Sequence, residues 1–285
     1  MQEMTVRAKQ EVILSAGAYG SPMILLRSGI GPSQHLNETG INQLLDLPVG
    51  ENLQDRVSIT NLGEATMYVK TDPLKPAGEP DLQFLFVGSL PDNILSAAPV
   101  INLKQELIQN WFSLGTGRDG IQIPFYLTKP KSRGTIRLSS PSPHTPPLID
   151  PNHFFCDEDL DTAVKGIRVI QDLVNSTTFR SVNATMDPPF YGCTNFTFDT
   201  DEYWKCAIKF FGTAGHHPCG TCKMGARNDK SAVVDPDLRV IGIDRLRVVD
   251  ASIMPEIVSG NINAPTIAIA EKAADMIKRD RRNRK

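Results

Sequence analysis

Two histidines and two cysteines crowd into His216-His217-Pro218-Cys219-Gly220-Thr221-Cys222, and each residue type supports a different chemistry. A Cys-x-x-Cys spacing suits half of a zinc site or a thiol redox pair. No second such pair follows, and two adjacent histidines on one strand do not easily both face one metal. Cys219 and Cys222 are therefore assigned to packing, and no metal site is expected. An imidazole with an unperturbed pKa of about 6.5 suits a base near neutral pH. On residue type alone His217 is either such a base or an ordinary loop histidine, and His216 is structural or exposed. A second run, Gly115-Thr116-Gly117-Arg118-Asp119-Gly120, fits the GxGxxG pattern whose backbone amides cradle a pyrophosphate. That cradle needs a buried strand before it and a helix after it. Here a polar, helix-like stretch precedes and a strand containing Pro124 follows, so the run reads as a surface loop. A third run, Asn261-Ile262-Asn263-Ala264-Pro265, opens the last periodic segment. Asn263 can donate a hydrogen bond to a substrate oxygen but cannot take its proton, and it can equally cap a helix.

These residues need elements to hold them. Lys9 to Leu14 reads as a short strand, its Val12-Ile13-Leu14 run suited to burial on both faces. Ser15-Ala16-Gly17-Ala18 turns the chain, Pro22 suits the first turn of a helix with Met23 to Leu26 on its apolar side, and Gly29, Gly31 and Pro32 stop it. Strand, small-residue turn and helix together make a unit of a nucleotide-binding α/β sheet. From about Thr60 to Tyr203 the character changes to strand-like runs at Leu82 to Val87, Ile121 to Leu127 and Gly134 to Leu138, separated by Pro and Gly clusters. One helix interrupts them, roughly Asp157 to Val174, where Leu160, Val164, Ile167, Ile170 and Val174 recur at helical spacing. This middle reads as a separate antiparallel α+β region. The last part holds a strand, Leu246 to Val249, and a closing helix from about Pro265 to Lys278 with Ile267, Ala270, Ala274 and Ile277 on one face.

With 285 residues, 40% of them hydrophobic and 22% charged, the chain can bury the core of one large domain or two modest ones. A net charge of -2 gives no electrostatic reason to expect nucleic acid or an anionic membrane as partner, and the basic Arg279 to Lys285 reads as a frayed, solvated end. No apolar run is long enough to span a bilayer. The opening MQEMTVRAKQ lacks the apolar stretch of a signal peptide. Yet Asn-x-Ser/Thr sequons occur at Asn37, Asn175, Asn183 and Asn195, more than the roughly two that chance supplies. Both observations fit a secreted, extracellular parent whose N-terminus lies upstream, this chain being a fragment or a truncated gene model. Five cysteines leave at least one unpaired within the chain, and Cys193 with Cys206 is the expected bridge.

Residues Gly17 to Gly31, GAYGSPMILLRSGIG, match at each specified position the second signature of the glucose-methanol-choline oxidoreductases, and Leu47 to Asp55, LPVGENLQD, continues it. Ser132-Arg133-Gly134 with Arg137-Leu138, then His217 to Gly225, Val234-Asp235-Pro236, Arg247 to Ser252 and Asn261 to Thr266 follow in that family's order and spacing. Nearly the whole chain therefore resembles the C-terminal half of such an enzyme. In style, including the surroundings of Cys193 and Tyr203-Trp204-Lys205-Cys206, it is similar to arthropod glucose-dehydrogenase-like and ecdysone-oxidase-like members. Two features depart from the pattern. The family's first signature and N-terminal GxGxxG are absent from these residues, and Arg56 follows Asn52-Leu53-Gln54-Asp55 where relatives usually carry His.

The resemblance implies an α/β plus α+β chain, with a partial, Rossmann-like FAD-binding domain and an antiparallel-sheet substrate domain whose sheet roofs the flavin. Residues 1–58 and 209–285 would belong to the first and 59–208 to the second. It implies FAD as cofactor and oxidation of a CH-OH group of an alcohol or sugar, with hydride passing to flavin N5. His217 would be the base, and Asn263, at a position that holds His or Asn among relatives, the orienter. Asn261, Ile262, Asn263 and Pro265 would meet the flavin edge, Asp250 and Ala251 would lie along the ribityl and pyrophosphate, and Ala16 and Gly17 would approach the adenosine. Electrons would go on to oxygen, a quinone or another acceptor. Two rival readings are a flavin-containing lyase of the same fold and a truncated, non-catalytic secreted glycoprotein.

Overall fold

The computed structural model describes residues 4–58, 65–72, 74, 78–88, 104–110, 120–186 and 189–283. They divide into two units, Met1–Asp55 with Ser132–His153 and His216–Lys285, and Arg56–Lys131 with Phe154–Gly215.

The first unit is built on a parallel pair, Val12–Leu14 (β1) against Leu246–Val248 (β10), with Val12 opposite Leu246 and Leu14 opposite Val248. Val12 and Ile13 are 45% and 42% exposed, so the expected burial on both faces is not met. Among the described residues β10 is the one strand that pairs with β1. Helix Gly17–Arg27 (α1) starts earlier than the sequence suggests, which puts Pro22 inside it. A proline there lacks the N-H that would bond four residues back, freeing the Ala18 carbonyl. That carbonyl accepts the Thr221 hydroxyl at 2.6 Å, so a local defect becomes a tie to a distant segment. Within a short helix, Ser33–Glu38 (α2), the buried His35 accepts the Leu138 N-H on Nε2 at 2.9 Å.

Leu138 belongs to a segment that the sequence reading places in the middle region. The structure instead returns it to the first unit, as the hairpin Thr135–Arg137 (β7) and Leu148–Asp150 (β8). Backbone bonds decide this. Leu53 and Gly134 exchange N-H···O bonds of 2.9 and 2.8 Å, Ile136 N-H donates to Gly50 O at 2.7 Å, and Ile136 and Leu138 enter the core with Leu25, Leu26, Val49 and Leu53. The closing helix, Asn263–Asn283 (α7), packs on this core through Ile269, Ala273 and Met276. Of the expected face, Ile267 is 56% exposed and Ala270 lies in solvent, while Ala274 and Ile277 are half-buried beside the stripe that packs.

In the second unit Val57–Ser58 (β2), Ala65–Val69 (β3), Leu82–Gly88 (β4), Phe125–Leu127 (β6) and Thr213–Ala214 (β9) form an antiparallel sheet in the order β3-β4-β6-β2-β9. Ile121–Gln122 (β5) pairs with the far end of β4. The single strand expected over Ile121 to Leu127 is broken at Pro124, which has no N-H for the ladder. Helix Gln105–Asn110 (α3) follows β4, and Asp157–Val174 (α4) covers the sheet, with Leu160, Ala163 and Val164 against Leu82, Phe84 and Phe125. Asp157, Glu158 and Asp159 in the first turn of α4 complement its positive end. Thr177–Ser181 (α5) and Asp201–Phe211 (α6) complete the unit, Thr200 capping α6 by accepting the Tyr203 N-H at 3.3 Å. The expected Cys193–Cys206 disulfide is formed, with Cα atoms 6.0 Å apart. Of the GxGxxG run only Gly120 lies within the described residues.

Candidate active site

Because β1 and β10 are parallel, the segments that leave their carboxyl ends meet at one edge: Ala16-Gly17 after β1, Asp250-Ala251 after β10. In open α/β sheets that edge is where ligands bind. Asp250 joins the two segments. Its Oδ2 accepts from Gly17 N-H at 3.0 Å and the Ser21 hydroxyl at 2.5 Å, while Oδ1 accepts from Ser252 N-H at 2.8 Å. The carboxylate is thus committed inward as a brace between the two segments. Gly17 has φ +78°, and a Cβ built on it would meet nothing within 4 Å. The flank beside Gly17 is therefore open space at the start of a helix.

The histidine loop is fixed from a third segment. Gln54 and Cys219 exchange backbone bonds of 3.0 and 2.9 Å, and one residue on, the buried Asp55 accepts the His217 N-H on Oδ1 at 2.7 Å. His216 is exposed and left-handed, φ +58°, a conformation costing a side-chain-bearing residue about 1–3 kcal/mol unless its surroundings impose it. His217 beside it is half-buried. Gly220, at φ +87°, passes so close to Asn52 that a Cβ would stand 2.6 Å from the Asn52 carbonyl oxygen. The Asn52 amide donates to Gly220 O at 3.2 Å and Pro255 O at 3.3 Å, and Gln54 donates to Pro255 O at 3.1 Å while accepting from Ile257 N-H at 3.1 Å. Gly220, Cys222 and Met224 in turn donate to the carbonyls of Ala251, Ser252 and Ile253. The segments around Gly17, Asn52, His217 and Asp250 are one interlocked piece of backbone.

Asn263 reaches this piece through its neighbour. Ile262 packs against the cluster of Cys219, Ala251, Met254 and Ile257, which seats the first residue of α7, the exposed Asn263, beside the same cluster that His217 flanks two residues before Cys219. Thr266 closes the first turn, its N-H and hydroxyl bonding Ile262 O at 3.0 and 2.7 Å. Asn261 is exposed and Pro265 half-buried at this helix start.

The cysteines of the loop point inward. Cys219 and Cys222 are fully buried in two different apolar clusters, and burial pushes the Cys222 thiol well above its ordinary range despite a hydrogen bond with Ser252. Among the described residues no three His, Cys, Asp or Glu side chains converge as a metal site would require. Residue types alone did not single out Asp55, Ser21 and Thr221, although all three lie in the recognised segments. Tyr19 also belongs to the neighbourhood, its phenol pKa raised by burial and then by the Asp55 charge.

Two sequence profiles described as GMC oxidoreductase match residues 1–58 and 130–270. Glucose dehydrogenase [FAD, quinone] of Drosophila melanogaster is 34% identical over 308 residues, covering 96% of this chain and 48% of its own length. Ecdysone oxidase of Bombyx mori is 36% identical over 306 residues, covering 95% of this chain and 44% of its own length. Pyridoxine 4-oxidase from Mesorbium loti superposes with a TM-score of 0.74 at 28% identity, over 93% of this chain and 50% of that one. The chain thus spans about half the length of the relatives it matches.

Proposed function

The chain belongs to the glucose-methanol-choline oxidoreductase family, and from that membership we propose that it forms the proton-handling part of an FAD-dependent oxidoreductase acting on the CH-OH group of an alcohol or sugar. The observation that carries this reading is the locking of His217 by the buried Asp55 into the same backbone piece that holds Gly17 and Ala251. A dinucleotide fits that piece on physical grounds. The open flank of Gly17 leaves room for phosphates, and the start of α7 offers a positive helix end for negative charge. Ala16 and Gly17 would hold the adenosine side, Asp250 and Ala251 the ribityl and pyrophosphate, and Asn261, Ile262, Asn263 and Pro265 the ring edge.

Bound FAD supplies the hydride acceptor. The chain's own residues handle the proton. As the CH-OH carbon gives up hydride, its oxygen must lose a proton, and an imidazole nitrogen of His217 takes it. The Asn263 amide donates to the same oxygen and orients it, without accepting the proton. Asp55 fixes the backbone from which the imidazole is presented, and the 1.5–3 kcal/mol typical of a bond to a charged acceptor, of order tenfold or more in rate if realised at the transition state, is its contribution. In this reading the first unit is part of the FAD-binding domain and the second is the substrate domain. Oxygen or a quinone takes up the electrons, and the protein works outside the cell as a glycoprotein. The Cys193–Cys206 disulfide supports that location.

The test is anaerobic mixing of the full-length holoprotein with a panel of alcohols and sugars while flavin absorbance is followed. Bleaching by at least one, with the matching aldehyde, ketone or lactone as product, is expected. A flavin that binds yet stays oxidised with every member, as in a lyase, would overturn the reading.

A further inference from the structure

The four sequons are unequal in the fold. Asn37 lies inside α2, and its partner Thr39 is half-buried with its hydroxyl donating to His35 O at 2.9 Å and Leu36 O at 3.1 Å. The three in the second unit share a different setting. Asn175 follows the last turn of α4, Asn183 is left-handed (φ +54°) in the turn after α5, and Asn195 lies in the turn between the Tyr191–Cys193 3-10 helix and Thr200. All three asparagines and their partners Thr177, Thr185 and Thr197 are exposed. Apolar side chains next to two of them in sequence stand in solvent: Val182 beside Asn183 is 72% exposed, and Phe196 and Phe198 after Asn195 are 44% and 48% exposed.

We infer that Asn175, Asn183 and Asn195 carry N-linked glycans, those on Asn183 and Asn195 beside the exposed Val182, Phe196 and Phe198, and that Asn37 does not. The modification joins each asparagine Nδ2 to the anomeric carbon of an oligosaccharide borne on a lipid pyrophosphate. The C-O bond to the pyrophosphate breaks, the amide nitrogen gives up one proton, and the lipid pyrophosphate leaves. The CH faces of the sugars suit contact with Phe196 and Phe198, and the hydroxyl faces suit water. The disulfide partner Cys193 lies two residues before Asn195, so this segment matures in an oxidising compartment, where that transfer occurs. The inference rests on the extracellular reading above and not on the oxidoreductase reading.

The test is site mapping on the full-length protein made in insect cells. Peptides are treated with a glycan-releasing amidase, which converts each occupied Asn to Asp, and read by mass spectrometry. Conversion at Asn175, Asn183 and Asn195 but not Asn37 is expected. Thr177→Ala, Thr185→Ala and Thr197→Ala should each remove one glycan's mass, and Thr197→Ala should lower secreted yield several-fold by baring Phe196 and Phe198. Protein in the medium with those three asparagines unconverted overturns the inference while leaving secretion intact. Protein retained in the cytosol with Cys193 and Cys206 reduced overturns both the inference and the extracellular reading.

Discussion

On the proposed reading, Asp55 is a residue without reacting chemistry that positions the one assigned to it, His217. Its carboxylate reaches the His217 amide across 162 positions of sequence, so its role is a property of the folded chain and no local pattern announces it. His217 and Asn263 were singled out because each sits in a run that resembles a family motif, His217 to Gly225 and Asn261 to Thr266. Asp55→Ala should lower the flavin reduction rate about 10- to 100-fold in the holoprotein, the loss expected when a bond to a charged acceptor is removed near the transition state. Asp55→Asn keeps an acceptor oxygen without the charge and should restore part of it. Stopped-flow reduction at several pH values checks this, and equal loss in both variants would show that charge rather than positioning matters. For the buried thiols, Cys219→Ser with Cys222→Ser should leave zinc content at zero and alcohol oxidation largely intact. Metal analysis of purified wild type showing one zinc per chain would contradict the packing role given to them.

At the scale of elements, α7 is held at both ends by different means. Its start packs Ile262 into the apolar cluster, whereas near its end Asp280 accepts from Arg247 at 2.6 Å and from Arg239 at 2.5 Å, Arg247 also donating to Glu11 at 2.8 Å. Arg247 is 2% exposed, so the carboxylates answer a charge that water cannot reach. Bonds from Arg239 and then Arg247 hold the Asp280 carboxyl down to about 2. An unfolded Asp titrates near 3.9, so between about pH 4 and pH 2 the unfolded chain binds the extra proton and stability falls as pH falls. Asp280→Asn should cost about 3 kcal/mol at neutral pH, since a buried guanidinium loses a charge partner, and should flatten that acid limb. Urea unfolding of both forms across pH 2–7 tests it, and an unchanged limb in the variant would remove Asp280 as its source. The long helix α4 was read correctly because eighteen residues give the 3.6-residue period room to show. The buried face of α7 was misread because alanines and isoleucines line more than one of its stripes, and only packing selects Ile269, Ala273 and Met276.

For the whole molecule, the two-part architecture was visible in the change of character after the first strand-helix unit, but its seams were not. Segment 132–153 belongs with the first unit because Gly134 and Ile136 bond to Leu53 and Gly50, pairings some eighty residues long that composition and periodicity do not register. The same long-range weave brings Gly17, Asn52, His217 and Asp250 together, and it is what turns a string of motifs into a site. What that site does is decided by the pH dependence of anaerobic flavin reduction by the best alcohol, in the full-length holoprotein and its His217→Ala and Asn263→Ala variants. With His217 as base, His217→Ala retains FAD, slows reduction by about 100- to 10,000-fold and loses the limb on which rate rises with pH. Asn263→Ala is slowed but keeps that limb. Reduction of His217→Ala at a near wild-type rate, or loss of the same limb in both variants, would contradict the division of labour between His217 and Asn263.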